Sequence, residues 1–149
     1  MRILLVEDDR VQAEEVRKHL EGEFHDPKIT LLKTEKQFRD RFEEIAGNPP
    51  DVICLDVMMR WTDPSPDLNI EQIPPNVRDE KGGRWRRAGV RCAKLLYEDI
   101  RTRDIPVILY TILEEEDLEG ELAGLQNVTH VTKDSNLSVL VDNIKSLSA

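Results

Sequence analysis

Residues 51–57 have the sequence DVICLDV, in which four successive apolar residues stand between two aspartates. A continuously apolar run of this length is typical of a strand that is buried on both faces of a parallel sheet. Residues 105–110, IPVILY, have the same character. We therefore predict that these two runs form the central strands of a parallel β-sheet.

Short apolar runs alternate with longer amphipathic stretches along the chain, as expected for a parallel sheet with helices on both faces. The predicted strands cover residues 2–6, 28–32, 51–57, 105–110 and 128–132. The predicted helices cover residues 11–20, a stretch through Phe38, Phe42 and Ile45, residues 90–100, a weak acidic stretch at 114–125, and a last stretch through Leu137, Leu140, Val141 and Ile144. The sequence thus predicts an α/β fold.

The overall composition suits one globular domain, because 149 residues can close a single core. A net charge of −9 argues against direct nucleic-acid binding, which depends largely on Lys and Arg. No run approaches the roughly 18 apolar residues of a membrane span and no signal peptide is evident, so we expect no membrane contact and a cytoplasmic location. Cys54 and Cys92 lie in apolar runs without paired spacing, which predicts buried, reduced thiols.

Residues 60–88 interrupt the alternation of strands and helices. They contain four of the eight prolines and both tryptophans, Trp61 and Trp85. We predict a single domain over residues 1–149, with this segment as an insertion between the third strand and the third helix. Because tryptophan is a frequent interface anchor, we expect the insertion to dock a partner or cover the site, with a mobile loop as the alternative. Its cations at 81–87 could meet an acidic partner or fold back on the acidic chain.

Polar residues follow four of the predicted strands at their carboxyl ends, where open parallel α/β sheets bind ligands. These residues are Glu7, Asp8, Asp56, Thr111 and Lys133. Three neighbouring carboxylates repel one another unless a cation lies between them, and carboxylate oxygens suit Mg²⁺. Lys133 and Thr111 would supply a positive charge and a hydrogen bond to a phosphoryl group carried on one of the acids.

Each of these residues taken alone also has a structural explanation. Asp8 or Asp9 could cap the first helix. Thr111 could be an ordinary β-branched strand residue, and Lys133 a solvated surface lysine. Asp56 is harder to explain in this way, because aspartate is depleted in strands and this one follows a buried run. Their joint placement at four strand ends favours a functional site.

The chain resembles the receiver domains of response regulators in bacterial two-component systems at four segments, which occur in the family's order. The segments are ILLVEDD at 3–9, DVICLDVMM at 51–59, IPVILYT at 105–111 and VTK at 131–133. Gly89 is similar to the glycine that opens the third helix of that family. The resemblance implies a flavodoxin-like, doubly wound sheet of five parallel strands in the order 2-1-3-4-5, with helices on both faces.

The resemblance also implies roles for individual residues. Asp56 is similar to the phosphoacceptor, Thr111 to the switch hydroxyl and Lys133 to the lysine that contacts the phosphoryl group. The implied Mg²⁺ ligands are Glu7, Asp8, Asp56 and the backbone carbonyl of Met58. A histidine kinase or a histidine phosphotransfer protein would donate the phosphoryl group. The domain would catalyse only its own phosphorylation and dephosphorylation, and would not otherwise be an enzyme.

Four positions depart from the family's usual pattern. Ile112 follows the threonine where a small residue is usual, and could crowd the phosphorylation pocket. Asp134 replaces the proline that usually follows the lysine, which leaves open whether the preceding peptide is cis. His130 occupies the position of the mobile aromatic residue and could sense pH. Arg60 replaces a proline, so the loop that leaves Asp56 is expected to follow its own path.

Two other classes of function stay open on the sequence alone. The fold could serve as a phosphorylation-independent protein-binding module, although such domains usually lose part of the acid, threonine and lysine set. A small Mg²⁺-dependent phosphatase or nucleotide-binding enzyme is disfavoured, because Met58 stands where such phosphatases have a second aspartate and no glycine-rich loop follows the first strand. We expect a stand-alone receiver that signals through an unidentified protein target, phosphoryl relay or self-association as a homodimer.

Overall fold

The computed structural model describes residues 1–78, 86–118 and 120–148. Five strands form one sheet in which every neighbouring pair is parallel, in the order 2-1-3-4-5. They are β1 (Arg2–Val6), β2 (Lys28–Leu32), β3 (Val52–Leu55), β4 (Val107–Thr111) and β5 (Val128–Thr132). The predicted fold class and strand order are confirmed.

The two central strands, β3 and β4, are buried along their whole length, as their apolar sequences predict. β3 ends at Leu55, so Asp56 lies where the chain leaves the sheet. β4 begins after Pro106, which has no N–H to donate to the sheet, although its carbonyl accepts a hydrogen bond from the Ile53 N–H at 3.0 Å. Both strands therefore start or stop within a few residues of the predicted bounds.

Helices cover both faces of the sheet. Within the described residues they are α1 (Arg10–Glu23), α2 (Glu35–Asp40), α3 (Phe42–Gly47), α4 (Pro75–Arg78), α5 (Ala88–Glu98) and α6 (Leu137–Ser148). Buried side chains of α1 and α6 pack on one face of the sheet, and those of α2, α3 and α5 pack on the other. This arrangement is the doubly wound architecture that the resemblance implies.

α1 begins directly after the acidic residues that follow β1. The Asp9 carboxylate accepts hydrogen bonds from the N–H groups of Val11 and Gln12 at 3.0 and 3.1 Å, which makes Asp9 the N-cap. The sequence offered Asp8 and Asp9 as alternative caps of this helix, and Asp9 is the residue that caps it. Asp8 is left for other contacts.

Two helices differ from their predictions. The predicted second helix is divided into α2 and α3, because the backbone at Arg41 (φ −102°, ψ 9°) leaves helical geometry. The prediction of a helix at 114–125 is wrong. The described residues of this stretch form a 3-10 turn at Glu115–Leu118 instead. Gly124 has a φ of 85°, a left-handed conformation that an α-helix does not contain.

The segment that follows Asp56 packs its first residues against α2. The N–H groups of Glu35 and Lys36 donate hydrogen bonds to the carbonyls of Arg60 and Trp61, at 3.1 and 2.9 Å. Because the first N–H groups of a helix have no partner within the helix, these two carbonyls satisfy part of the N-terminus of α2. The segment is thus tied to the main fold at its start.

Further along, this segment forms a 3-10 turn at Ile70–Gln72 and the single turn of α4. Trp61 is buried in a small cluster with Ile73 and Val77. These three side chains are therefore packed together rather than solvated, while the insertion and its partner-docking or site-covering role stay predictions. Trp85 and the cations at 81–84 lie outside the described residues.

Other sequence expectations concern cysteines, peptide geometry and membranes. Cys54 and Cys92 are buried and free, and burial raises the pKa of the Cys54 thiol to about 12.

No described peptide is cis, so the bond between Lys133 and Asp134 is trans. Within the described part of the chain, the helices are too short or too polar to cross a membrane.

Candidate functional site

The carboxyl edge of the sheet gathers charged side chains from three strands. Glu7 and Asp8 follow β1, Asp56 follows β3, and Lys133 follows β5. One carboxylate oxygen from each of the three acids lies within 4.8 Å of the other two. Glu7 and Asp56 are buried, and Asp8 is partly buried. The structure thus brings together four of the residues that the sequence placed at strand ends.

Lys133 lies among these carboxylates rather than in solvent. Its ammonium donates hydrogen bonds to Glu7 Oε1 at 2.9 Å, Asp56 Oδ2 at 3.1 Å and Gln12 Oε1 at 2.6 Å. The ammonium also lies 5.7 Å from the centre of the Tyr110 ring. An ammonium has three N–H groups, and here each has an acceptor. The alternative of a solvated surface lysine is therefore wrong.

Gln12 is a member of the site that the sequence analysis did not identify. It lies in the first turn of α1, where Asp9 caps its N–H, and its side-chain oxygen accepts the hydrogen bond from Lys133. The available signal was its position, because the first turn of a helix that follows β1 lies beside the carboxyl edge of the sheet. Its side chain alone carries no functional signature.

The electrostatics of the site are dominated by burial. Burial raises the pKa of Glu7 from 4.5 to about 9, and the neighbouring Asp56 carboxylate adds to this rise, which Lys133 only partly offsets. Burial also opposes the charge of Lys133, but Asp56 and Glu7 outweigh it and raise the pKa of Lys133. Glu7 is therefore harder to ionise than an exposed glutamate, and Lys133 loses its proton less readily than an exposed lysine.

Asp8 contacts Arg60, a residue for which the sequence predicted no part in the site. The Asp8 Oδ2 atom accepts a hydrogen bond from the backbone N–H of Arg60 at 3.1 Å. The Nε atom of the same residue lies 3.5 Å from that oxygen. Arg60 thus meets the acidic cluster through both its backbone and its side chain.

The loop that carries Asp56 is packed tightly against the start of α5. Asp56 N–H donates to the Val6 carbonyl at 3.0 Å, and Gly89 N–H donates to the Val57 carbonyl at 2.9 Å. A Cβ atom at position 89 would lie 2.1 Å from the Asp56 carbonyl oxygen. Only glycine permits this approach, which gives a physical reason for the glycine that opens this helix.

Thr111 and His130 meet at the backbone of Leu113. The Leu113 N–H donates to Thr111 Oγ1 at 3.3 Å, and His130 Nε2 donates to the Leu113 carbonyl at 2.7 Å. Thr111 is buried, whereas Ile112 is largely exposed. The switch role of Thr111 and the crowding of the phosphorylation pocket by Ile112 stay predictions, as does a pH response of His130.

The acidic cluster fits Mg²⁺. Oxygen atoms from Glu7, Asp8 and Asp56 are gathered in a partly desolvated place, and Mg²⁺ prefers such hard oxygen ligands. The pKa of Glu7 is raised by its burial first and by the neighbouring Asp56 carboxylate second, so a bound cation would favour its ionised form. Met58 approaches through its N–H, which donates to Asp56 Oδ1 at 3.2 Å. Its carbonyl as a metal ligand stays a prediction.

The chain is similar to known proteins at the level of structure. No family model and no curated protein matches the sequence. The signal receiver domain of a DNA-binding response regulator from Colwellia psychrerythraea 34H has a TM-score of 0.70 and 24% identity, over 99% of this chain and 97% of its own. The signal receiver domain of a signal transduction histidine kinase from Syntrophus aciditrophicus has a TM-score of 0.67 and 24% identity, over 99% and 89%. A phosphorylated cyanobacterial phytochrome response regulator has a TM-score of 0.66 and 19% identity, over 98% and 89%.

The class of fold follows from these observations. A doubly wound parallel sheet of order 2-1-3-4-5 carries an acidic cluster and a lysine at its carboxyl edge. The structural matches described above are receiver domains of a response regulator and of a histidine kinase, and a phytochrome response regulator. The chain has the fold of a response-regulator receiver domain. At identities of 24% or less, this likeness concerns the fold alone.

Proposed function

We propose that the chain acts as one receiver domain that a histidine kinase or a histidine phosphotransfer protein phosphorylates on Asp56 in a Mg²⁺-dependent reaction. The observation that carries this proposal is the position of Asp56. It follows a buried central strand, lies within 4.8 Å of Glu7 and Asp8, and accepts a hydrogen bond from Lys133. A structural aspartate has little reason to occupy such a crowded and buried place.

The chain's own residues would perform most of the transfer. An Asp56 carboxylate oxygen attacks the phosphorus of a phosphohistidine, so that an O–P bond forms as the N–P bond breaks and the histidine leaves. Lys133 is held where its ammonium can donate to a phosphoryl oxygen. Glu7, Asp8, Asp56 and the Met58 carbonyl would hold Mg²⁺, which when bound supplies positive charge to the phosphoryl oxygens.

The switch step would use the Thr111 hydroxyl. This hydroxyl now accepts the N–H of Leu113, and we propose that it turns to the phosphoryl group after transfer. Ile112, next in the chain and largely exposed, would limit access of water to the acyl phosphate. The altered surface would then be recognised by a protein target, or the phosphoryl group would pass to another histidine.

Two observations support the proposed cofactor and the proposed cellular location. The Mn²⁺-bound form of the response regulator Rcp1 matches with a TM-score of 0.63 and 21% identity, over 99% of this chain and 88% of its own. We therefore expect a divalent cation at the cluster. Reduced, buried Cys54 and Cys92 favour the cytoplasm, where phosphohistidine donors would be available.

The decisive experiment is labelling with a small donor. Incubation with Mg²⁺ and acetyl phosphate or phosphoramidate should add one phosphoryl group, which intact mass spectrometry detects. Asp56→Asn and Asp8→Ala should abolish the labelling, because the first lacks the attacking oxygen and the second a metal ligand. Asp142→Asn, on the exposed face of α6, is the matched control and should label like the wild type.

Two outcomes would decide against the proposal. Labelling that persists in Asp56→Asn would show that another residue is the phosphoacceptor. A wild-type chain that accepts no phosphoryl group from either small donor or from histidine phosphotransfer proteins would favour the phosphorylation-independent binding module instead.

A further inference from the structure

We propose that Arg60 is a built-in competitor of the divalent cation at Asp8, so that Arg60 lowers the affinity for the cation and transmits its binding to Trp61. This inference rests on the proposed function, because it requires a cation at the acidic cluster. It adds a regulatory element that the sequence resemblance does not imply. A proline usually stands at this position in receivers, and proline has neither an N–H nor a charge to offer Asp8.

The first step is the contact itself. Arg60 N–H and Arg60 Nε both approach the same atom, Asp8 Oδ2, at 3.1 and 3.5 Å. Asp8 is one of the three acids whose oxygens lie within 4.8 Å of one another. A cation that uses all three acids must therefore share Asp8 with Arg60.

The second step is the division of charge within the site. Lys133 pairs with Glu7 and Asp56, and Arg60 pairs with Asp8, so the acidic cluster already contacts two positively charged side chains. A divalent ion brings two more positive charges, which repel both side chains. Lys133 is only 11% exposed and donates to three acceptors, whereas the side chain of Arg60 is 49% exposed. Arg60 is therefore the side chain that leaves.

The third step connects Arg60 to the segment that follows it. The backbone of Arg60 links the two places, because its N–H donates to Asp8 and its carbonyl accepts the Glu35 N–H at the start of α2. The next residue, Trp61, is buried and lies 5.5 Å from the guanidinium of Arg39, measured from its carbon to the ring centre. A change in the direction of the Arg60 side chain thus occurs one residue from a buried fluorophore.

The test measures cation binding directly, without reference to phosphorylation. Mg²⁺ is titrated into the full chain by calorimetry, and in parallel by Trp61 fluorescence in a Trp85→Phe background. Arg60→Gln should bind Mg²⁺ about threefold to fivefold more tightly than the wild type, the range expected when a partly exposed ion pair no longer competes. Arg60→Lys, which keeps a charge, should give an intermediate dissociation constant.

Trp61 fluorescence should change on Mg²⁺ addition in the chain with Arg60, and this change should be much smaller in Arg60→Gln. Arg101→Gln is the matched control. That arginine is similarly exposed, at 45%, and pairs with Glu43 and Asp99 away from the cluster. Its removal should leave both Mg²⁺ affinity and the fluorescence response unchanged.

Several results would overturn the inference. Arg60→Gln with equal or weaker Mg²⁺ affinity would show that Arg60 does not compete with the cation. A fluorescence response that is the same with and without Arg60 would break the link to Trp61. If wild-type chain is labelled on Asp56 while either result holds, this inference alone fails. If the wild type neither binds Mg²⁺ nor accepts a phosphoryl group, the proposed function fails with it.

Discussion

Glu7 and Lys133 show how single residues set the charge balance of the site. Lys133 has a hydrogen-bond acceptor for each of its N–H groups, but its one charge is shared between Glu7 and Asp56. Burial makes two neighbouring negative charges unfavourable, so Glu7 keeps a proton that it would lose in the unfolded chain. Protonation of Glu7 and cation binding are thus alternative ways to relieve the same repulsion.

This balance predicts a pH-dependent stability when divalent cations are removed. The pKa of Glu7 is raised from 4.5 to about 9, so between these pH values the folded chain binds a proton that the unfolded chain does not. The resulting stabilisation is complete below pH 4.5 and is lost as the pH rises through about 9. The free energy of unfolding should fall by at most about 1.4 kcal/mol per pH unit from this group, as measured by urea unfolding in a chelator.

Glu7→Gln is the control for this prediction, because glutamine has nearly the same shape and no proton that titrates. The variant should lose less stability than the wild type as the pH rises over the same range. Equal pH slopes in the two proteins would mean that Glu7 is already ionised in the folded chain, contrary to its raised pKa.

At the scale of elements, the sequence predicted what depends on residues within one element. The apolar runs of β3 and β4 identified central strands because burial on both faces leaves no polar positions. The break at Arg41 and the left-handed Gly124 depend on local backbone geometry, which apolar periodicity does not contain. Contacts between elements are even harder to predict from the sequence. Gln12 meets Lys133, and Arg60 meets Asp8, only because distant segments approach each other.

The backbone of Leu113 joins two strands at the edge of the site through two hydrogen bonds. Its N–H is held by Thr111 at the end of β4, and its carbonyl accepts the hydrogen bond from His130 in β5. A movement of the Thr111 hydroxyl would therefore release the Leu113 N–H while His130 still holds the Leu113 carbonyl. Thr111 and His130 thus both form hydrogen bonds with the backbone of Leu113.

We expect His130→Ala to loosen the turn that follows β4. The change removes a hydrogen bond of 2.7 Å and leaves the Leu113 carbonyl without that donor, at a cost of about 1 kcal/mol. Hydrogen exchange at residues 112–118 should become faster, while exchange in β4 itself stays nearly the same. His25→Ala, at an exposed histidine before β2, should change neither. Unaltered exchange at 112–118 in His130→Ala would show that His130 does not hold this turn.

The described part of the molecule contains a third, smaller apolar cluster beside the two core clusters on the faces of the sheet. Trp61, Ile73 and Val77 form this cluster. Next to it, the fully buried Glu35 pairs with Arg39 of α2 and Arg91 of α5, at 2.9 and 2.8 Å. Arg39 also lies over the Trp61 ring. The segment after β3 is thus joined to two helices of the receiver fold through packing and charge.

If this segment belongs to the cooperative fold, its buried residues should behave as core residues. Ile73 is 1% exposed and Ile70, three residues earlier, is 52% exposed. Ile73→Ala should lower the free energy of unfolding by about 2 kcal/mol or more, because it leaves a cavity against Trp61, whereas Ile70→Ala should cost less than about 0.5 kcal/mol. Urea unfolding followed by circular dichroism measures both, and labelling of Asp56 should persist in each variant. Similar, small effects of the two substitutions would instead describe a loop that unfolds independently of the sheet.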